Sequence, residues 1–548
     1  MNRRETLIGL GTAAAAITLP ATAAPAFSQT AAPVVTTTNG RVRGQVKGGC
    51  AVFLGLRYGA DTGRARFQPP VKPEPWHDIA AAETYGNAAP QSGKPDDCPQ
   101  SEDCLFLNIW TPQASPAKKR PVLFYIHGGA YNSGSGSDPL YDGTNLATHG
   151  DVVVVTVNHR LNSFGYLYLA RLERAVSGGT NASRLEHTPD TLRPLQYSGN
   201  TGQMDLHLAL TWVRDNIASF GGDPECVMVF GQSGGGAKIA TMMATPAATG
   251  LFHRAATMSG QQVTASGPGN ATLRAQAYLK ALGLGSDADS LAKIQTLPIA
   301  ALIDALHATD PVIGSGGLYF GPVLDETILF RHPFWPDAPE QSRHIPMMIG
   351  NTHDETRAFL GNDPHNFELT WDELPARLPP AYRVDIDPYL VIETYRKLYP
   401  AMTPSEVFFA ASTAGRSWRG AIEEDEARAR QGAPAFAYQV DFSSPRDGGK
   451  YRAQHMIDIP LVFRNTAVPG SLSGNGQDAR HMADLFSDAF IAFARSGSPQ
   501  TNALPAWTPY SLEKRETMVM NVTPQLVNDP RGEERKLFAR VPFIQQGT

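Results

Sequence analysis

Residues 227–235 read Val227-Met228-Val229-Phe230-Gly231-Gln232-Ser233-Gly234-Gly235, and they decide the fold. The first four form a short apolar run of the kind that is buried inside a sheet. Residues 236–244 continue with a helical pattern. A serine set between glycines where a strand passes into a helix fits G-x-S-x-G, a strained turn that lifts the hydroxyl above the sheet. The flanking glycines let the chain turn without Cβ clashes. The helix N-terminus that follows favours developing negative charge.

Working outward, strand-like apolar runs alternate with longer helical patterns, as in a sheet joined by crossover helices. Residues 121–126 (PVLFYI) and 151–157 (DVVVVTV) read as buried strands. Residues 203–219 carry Met204, Leu208, Leu210, Trp212, Val213 and Ile217 at helix-like intervals, before Gly221-Gly222-Asp223-Pro224 breaks the pattern. Residues 344–350 and 436–442 are later strand candidates, and 482–495 is an amphipathic helix. Residues 173–200 are rich in Gly, Ser, Thr and Pro and predict a long surface loop. With no internal repeat and no low-complexity linker, residues 31–548 are expected to form one α/β domain with excursions over a central sheet.

A serine nucleophile needs a base and a site for an oxyanion. The strand at 121–126 runs into His127-Gly128-Gly129-Ala130-Tyr131, an HGGG-type segment whose backbone N–H groups can approach a substrate oxygen closely. In the α/β-hydrolase order the carboxylate follows the serine and the histidine comes last. Asp354 and Glu355 lie just beyond the strand at 344–350, where a carboxylate can orient an imidazole. Spacing does not choose between them, nor does it exclude Asp325 or Glu326. For the base, His455 competes with His332, His344 and His353. Ser259 is either a partner of the carboxylate or a strand-end turn residue, and His127 is read as shaping the oxyanion loop.

Taken together, these blocks resemble the type-B carboxylesterase family, nearest its bacterial para-nitrobenzyl esterase branch. The resemblance runs over nearly the whole chain after the first thirty residues. It rests on Ser101-Glu102-Asp103-Cys104-Leu105-Phe106-Leu107-Asn108-Ile109, on HGGAY followed by Tyr141-Asp142-Gly143, and on the serine turn preceded by Phe220-Gly221-Gly222-Asp223-Pro224. It implies Ser233 as nucleophile and, through GNTHDET, Glu355 as the acid. His455-Met456-Ile457-Asp458-Ile459-Pro460-Leu461-Val462-Phe463 matches the family's base segment and implies His455. The same resemblance implies an oxyanion hole from the N–H groups of Gly129, Ala130 and Gly234. It also supports a Cys98–Cys104 disulfide, which the closeness of the two residues allows. Several positions depart from the family pattern: Gly234 for the usual Ala, Thr356 and Met456 for Gly, and Leu206 for Gln.

The implied chemistry is two-step acyl transfer on a small-molecule ester, with no metal or organic cofactor. The same triad could cleave an amide or carbamate, and a non-catalytic binding role would require triad residues to be lost. Composition closes other classes. The 548 residues carry a net charge of −5 with no basic block, which argues against nucleic acid.

The first thirty residues read as an export signal. Arg3 and Arg4 precede an apolar run from Leu7 to Leu19 and small residues through Ala26, which suggests the twin-arginine route to a periplasmic or secreted location. No other stretch is a membrane span candidate. Cys226 is expected as a buried free thiol, and none of the four cysteines has metal-ligand spacing.

Overall fold

A computed structural model describes residues 32–93, 99–176, 194–545 and 547. The export signal and Cys98 lie outside the described residues, as does most of the long loop, whose residues 173–176 belong to the helix Ala170–Val176.

An 11-stranded sheet organises the chain. Its strands are β1 (Gln45–Lys47), β2 (Cys50–Arg57), β3 (Phe106–Thr111), β4 (Arg120–Ile126), β5 (Val153–Val157), β6 (Gly222–Gln232), β7 (Arg254–Met258), β8 (Met347–Thr352), β9 (Ala435–Val440), β10 (Glu516–Met520) and β11 (Gln525–Asn528). They lie in the order β11-β10-β9-β8-β7-β6-β4-β5-β3-β2-β1. From β10 across to β5 every pairing is parallel, and antiparallel strands close both edges. This is the doubly covered sheet of an α/β-hydrolase.

The strands read from sequence all form, with shifted ends. β6 starts at Gly222, earlier than the apolar run, because Arg120 pairs with Gly222 before the register shifts. β2, β3 and β7 are among the strands that the sequence does not mark. Their side chains are buried on both faces or interrupted by polar residues, so no alternation marks them.

Helices α1 (Thr201–Asn216), α2 (Gly234–Met243), α3 (Pro404–Thr413), α4 (Arg419–Gln431) and α5 (Gln477–Ser496) carry the packing that matters here. Alternation along β6 splits its side chains between two cores. Val227 and Val229 join Leu206, Leu210, Ile239 and Ala421 on the face covered by α1, α2 and α4. Met228 and Phe230 face Phe486, Phe490 and Phe493 of α5 on the other. A third cluster, around Leu374, Tyr395, Phe408 and Phe409 with Trp418, builds the lobe beyond β8.

Cys98, one half of the expected Cys98–Cys104 bridge, lies outside the described residues, and its expected partner is found unbridged. Cys104 is a free thiol with no exposed surface, packed with Tyr58 and Leu105 in the core under the sheet. Cys226 is free as expected but only half-buried, since it sits near the start of β6 before the strand enters the core.

Candidate active site

Register brings the chemistry together. Ile126 of β4 is opposite Gly231 of β6, and Met258 of β7 is opposite both Gln232 and Gly350. The loops that leave β4, β6, β7 and β8 therefore emerge side by side at the carboxyl ends of the strands, where open α/β sheets bind ligands.

Ser233 takes φ +54° and ψ −124° between β6 and α2. A non-glycine residue there stores on the order of 1–3 kcal/mol of backbone strain. Two backbone hydrogen bonds hold the turn, from Ser233 N to Met258 O at 2.7 Å and from Ala237 N to Ser233 O at 3.1 Å.

His455 is buried with its Nδ1 against Glu355 Oε2 in a short hydrogen bond. Glu355 has no exposed surface, and its Oε1 accepts from Thr352 N at 2.8 Å and from Asn351 Nδ2 at 3.4 Å. Burial alone would raise its pKa. The attraction and hydrogen bond of His455, with help from Thr352 N, win and hold it below the ordinary carboxylate value. With Nδ1 engaged by the carboxylate, Nε2 is left as the acceptor, and Gln232 Nε2 donates to it at 3.0 Å. Ser233 and His455 line one cavity of about 130 Å³.

The competing candidates point elsewhere. Asp354 turns to Arg357 at 3.1 Å and to His353. Asp325 binds Asn200 Nδ2 at 2.7 Å and caps the following turn. His332 accepts from Ala265 N. His127 is stacked on His159 with ring centroids 4.9 Å apart, and burial lowers its pKa to about 3, so it stays neutral.

Gly129 (φ +79°) and Ala130 (φ +52°) form a left-handed pair that turns the β4 loop over the serine. Their N–H groups and that of Gly234 donate to no group among the described residues. For Gly234 this follows from its place at the first turn of α2, where N–H groups lack helical partners. The two backbones touch: a Cβ at Gly234 would lie 2.0 Å from Ala130 O.

Sequence reasoning missed Lys238. It lies on α2 with no exposed surface and donates from Nζ to Ala130 O at 2.6 Å, with its ammonium 5.1 Å from the Tyr131 ring centroid. Burial lowers its pKa to about 7. A lysine five places after the serine is a visible signal, since a helix buried on all sides should not carry one.

Tyr131 and Phe359 line the same cavity as Ser233 and His455, whereas Phe320 lines a separate, smaller one. Three departures from the family pattern occupy distinct surroundings. Thr356 Oγ1 contacts Phe409 O, Ser412 and Thr413 of α3. Met456 has φ +75°, a conformation that glycine adopts without strain. Leu206 is fully buried in the core.

The sequence model of the Carboxylesterase family matches residues 31–178, 191–399 and 401–538. The chain is 34% identical to the para-nitrobenzyl esterase of Bacillus subtilis (strain 168), covering 92% of this chain and 98% of that one. It is 30% identical to the fumonisin B1 esterase of Sphingopyxis macrogoltabida, covering 89% and 87%. Among solved structures, a carboxylesterase of Geobacillus stearothermophilus superposes with a TM-score of 0.78 at 34% identity, over 92% of this chain and 99% of that one.

Proposed function

The chain belongs to the carboxylesterase family and is a carboxylic-ester hydrolase, and on that premise we propose that Ser233, His455 and Glu355 carry the reaction. The observation that supports these roles most is the buried His455–Glu355 pair in the same cavity as a serine on a strained strand-to-helix turn.

His455 Nε2 removes the Ser233 proton as the hydroxyl attacks the ester carbonyl, which requires the imidazole to exchange its Gln232 contact for the serine. Glu355 fixes the tautomer and stabilises the imidazolium. The N–H groups of Gly129, Ala130 and Gly234 receive the oxyanion, each worth on the order of 3 kcal/mol of barrier. The alcohol departs, and His455 then activates water to release the acid.

An ester, rather than an amide or carbamate, is the bond this reading favours, because two of the relatives are named as esterases. The export signal at residues 1–30 remains part of the proposal on its residue pattern, with a periplasmic or secreted enzyme as its consequence. Among the described residues no helix is long and apolar enough to cross a membrane.

The test is hydrolysis of para-nitrophenyl acetate, butyrate and octanoate by the protein beside Ser233→Ala. Loss of activity in the variant supports the nucleophile, and undiminished activity overturns it. Matched ester and amide substrates then read the bond preference.

A further inference from the structure

The catalytic cavity has a cationic wall. Arg383 and Arg416 both line it, together with the polar side chains of Gln261, Gln262 and Gln545. The two arginines come from segments joined by a hydrogen bond from Arg383 N to Gly415 O at 3.2 Å. They are close enough that the charge of Arg416 disfavours protonation of Arg383, whose pKa burial and that repulsion lower to about 9.

Arg416 sits in a π-helical turn, Ala414–Trp418, inserted between α3 and α4. Such widened turns are uncommon and cluster at functional sites. Its guanidinium lies 5.2 Å from the Phe359 ring centroid, and that ring lies 4.7 Å from the His455 ring. Arg416 is therefore one aromatic ring away from the base. It forms no ion pair among the described residues. The carboxylate whose charge reaches it is Glu355, already committed to His455 and Thr352.

Two like charges held together in a partly desolvated cavity repel each other, and an anion entering between them relieves that repulsion. A guanidinium is also the donor best matched to a planar carboxylate. We propose that the ester taken by this site bears a free carboxylate on one of its two arms, and that Arg416, with Arg383 beside it, binds that carboxylate. The inference rests on the esterase reading above and adds the substrate class.

The experiment compares monomethyl glutarate with dimethyl glutarate, followed by acid release at constant pH. Butyryloxyacetate beside ethyl butyrate places the carboxylate on the alcohol arm instead. The wild-type protein is expected to show a kcat/KM at least about tenfold higher for the charged member of one pair. Raised salt should shrink that ratio.

The readout in variants is the ratio, not the absolute rate. Arg416→Gln should bring it to about one, and Arg416→Lys should keep part of it. A structural role for Arg416, or one exerted through Glu355, would lower both members of a pair together and leave the ratio in place, which overturns the proposal. Wild-type turnover of neutral esters with no preference in either pair overturns it too, while leaving ester hydrolysis standing. No serine-dependent turnover of any of the four, nor of para-nitrophenyl acetate, overturns both readings.

Discussion

Lys238 Nζ donates a 2.6 Å hydrogen bond to the carbonyl oxygen of Ala130, tying α2 to the loop that lines the cavity beside Ser233. The carbonyl it grips belongs to the residue whose own N–H is a candidate oxyanion donor. A lysine with no exposed surface thus fixes the orientation of the peptide units on which the transition state would depend.

Replacing it tests that link. Lys238→Met should lower kcat by about ten- to a hundredfold, with KM changed much less, because the loop loses its anchor rather than its shape. Steady-state kinetics on para-nitrophenyl butyrate, read beside the melting temperature, decide the matter. A fall in stability with kcat intact would mean that the bond is only structural.

Gly234→Ala should also impair turnover. The new Cβ would meet Ala130 O at 2.0 Å and Ala130 C at 2.5 Å, so the oxyanion loop must move. In the presence of Lys238→Ser the loop is released, and the same alanine should cost less. A double-mutant cycle on kcat measures this coupling, expected at about 0.5–3 kcal/mol for groups that share a contact. Additive effects would argue that the loop adjusts to the alanine whether or not Lys238 holds it.

Asp458 gives a pH signature. It has no exposed surface, lies near Glu355 and Tyr438, and burial raises its pKa from 3.8 to about 7. Between those values the folded protein holds a proton that the unfolded chain has released. Its contribution to stability is therefore complete below about pH 4 and is lost as pH rises towards 7, with a slope of up to about 1.4 kcal/mol per pH unit. Asp458→Asn should remove this slope. Denaturant melts at pH 5 and pH 7 should show the difference between wild type and variant narrowing or reversing as pH rises; a constant difference would contradict the assignment.

Arg160 and Asp205 form a buried ion pair. Both are buried, and Arg160 Nη2 and Nε reach the two carboxylate oxygens at 2.6 and 2.9 Å. Asp205→Asn leaves a desolvated guanidinium without its counter-charge and should cost about 3–5 kcal/mol. The midpoint of denaturant unfolding would report it, and a loss below 1 kcal/mol would show that Arg160 finds another acceptor.

Much of this protein was written locally. The serine turn, the HGG loop and the strands that carry them are short-range patterns: an apolar run, a glycine where the backbone turns, a helix after it. Nine residues around Ser233 contain both the strand that enters the sheet centre and the turn that ends it. The acid and the base were less legible. Asp354 and Glu355 are neighbours in sequence, and only the path of the chain after β8 sends one towards His455 and the other towards Arg357. Resemblance to a family supplied that choice where spacing did not.

Tertiary structure alone decided the rest. Arg383, Arg416 and Gln545 meet Ser233 in one cavity although long stretches of chain separate them, and no periodicity links such residues. Cys104 turned out to be a free thiol in the core, because its burial depends on strands that pair far from it in sequence. Composition and pattern determine which segments become strands and turns, since those follow from local sterics and solvent avoidance. Which charges end up facing the reacting serine depends on long-range packing, where each side chain's environment is made by residues distant along the chain.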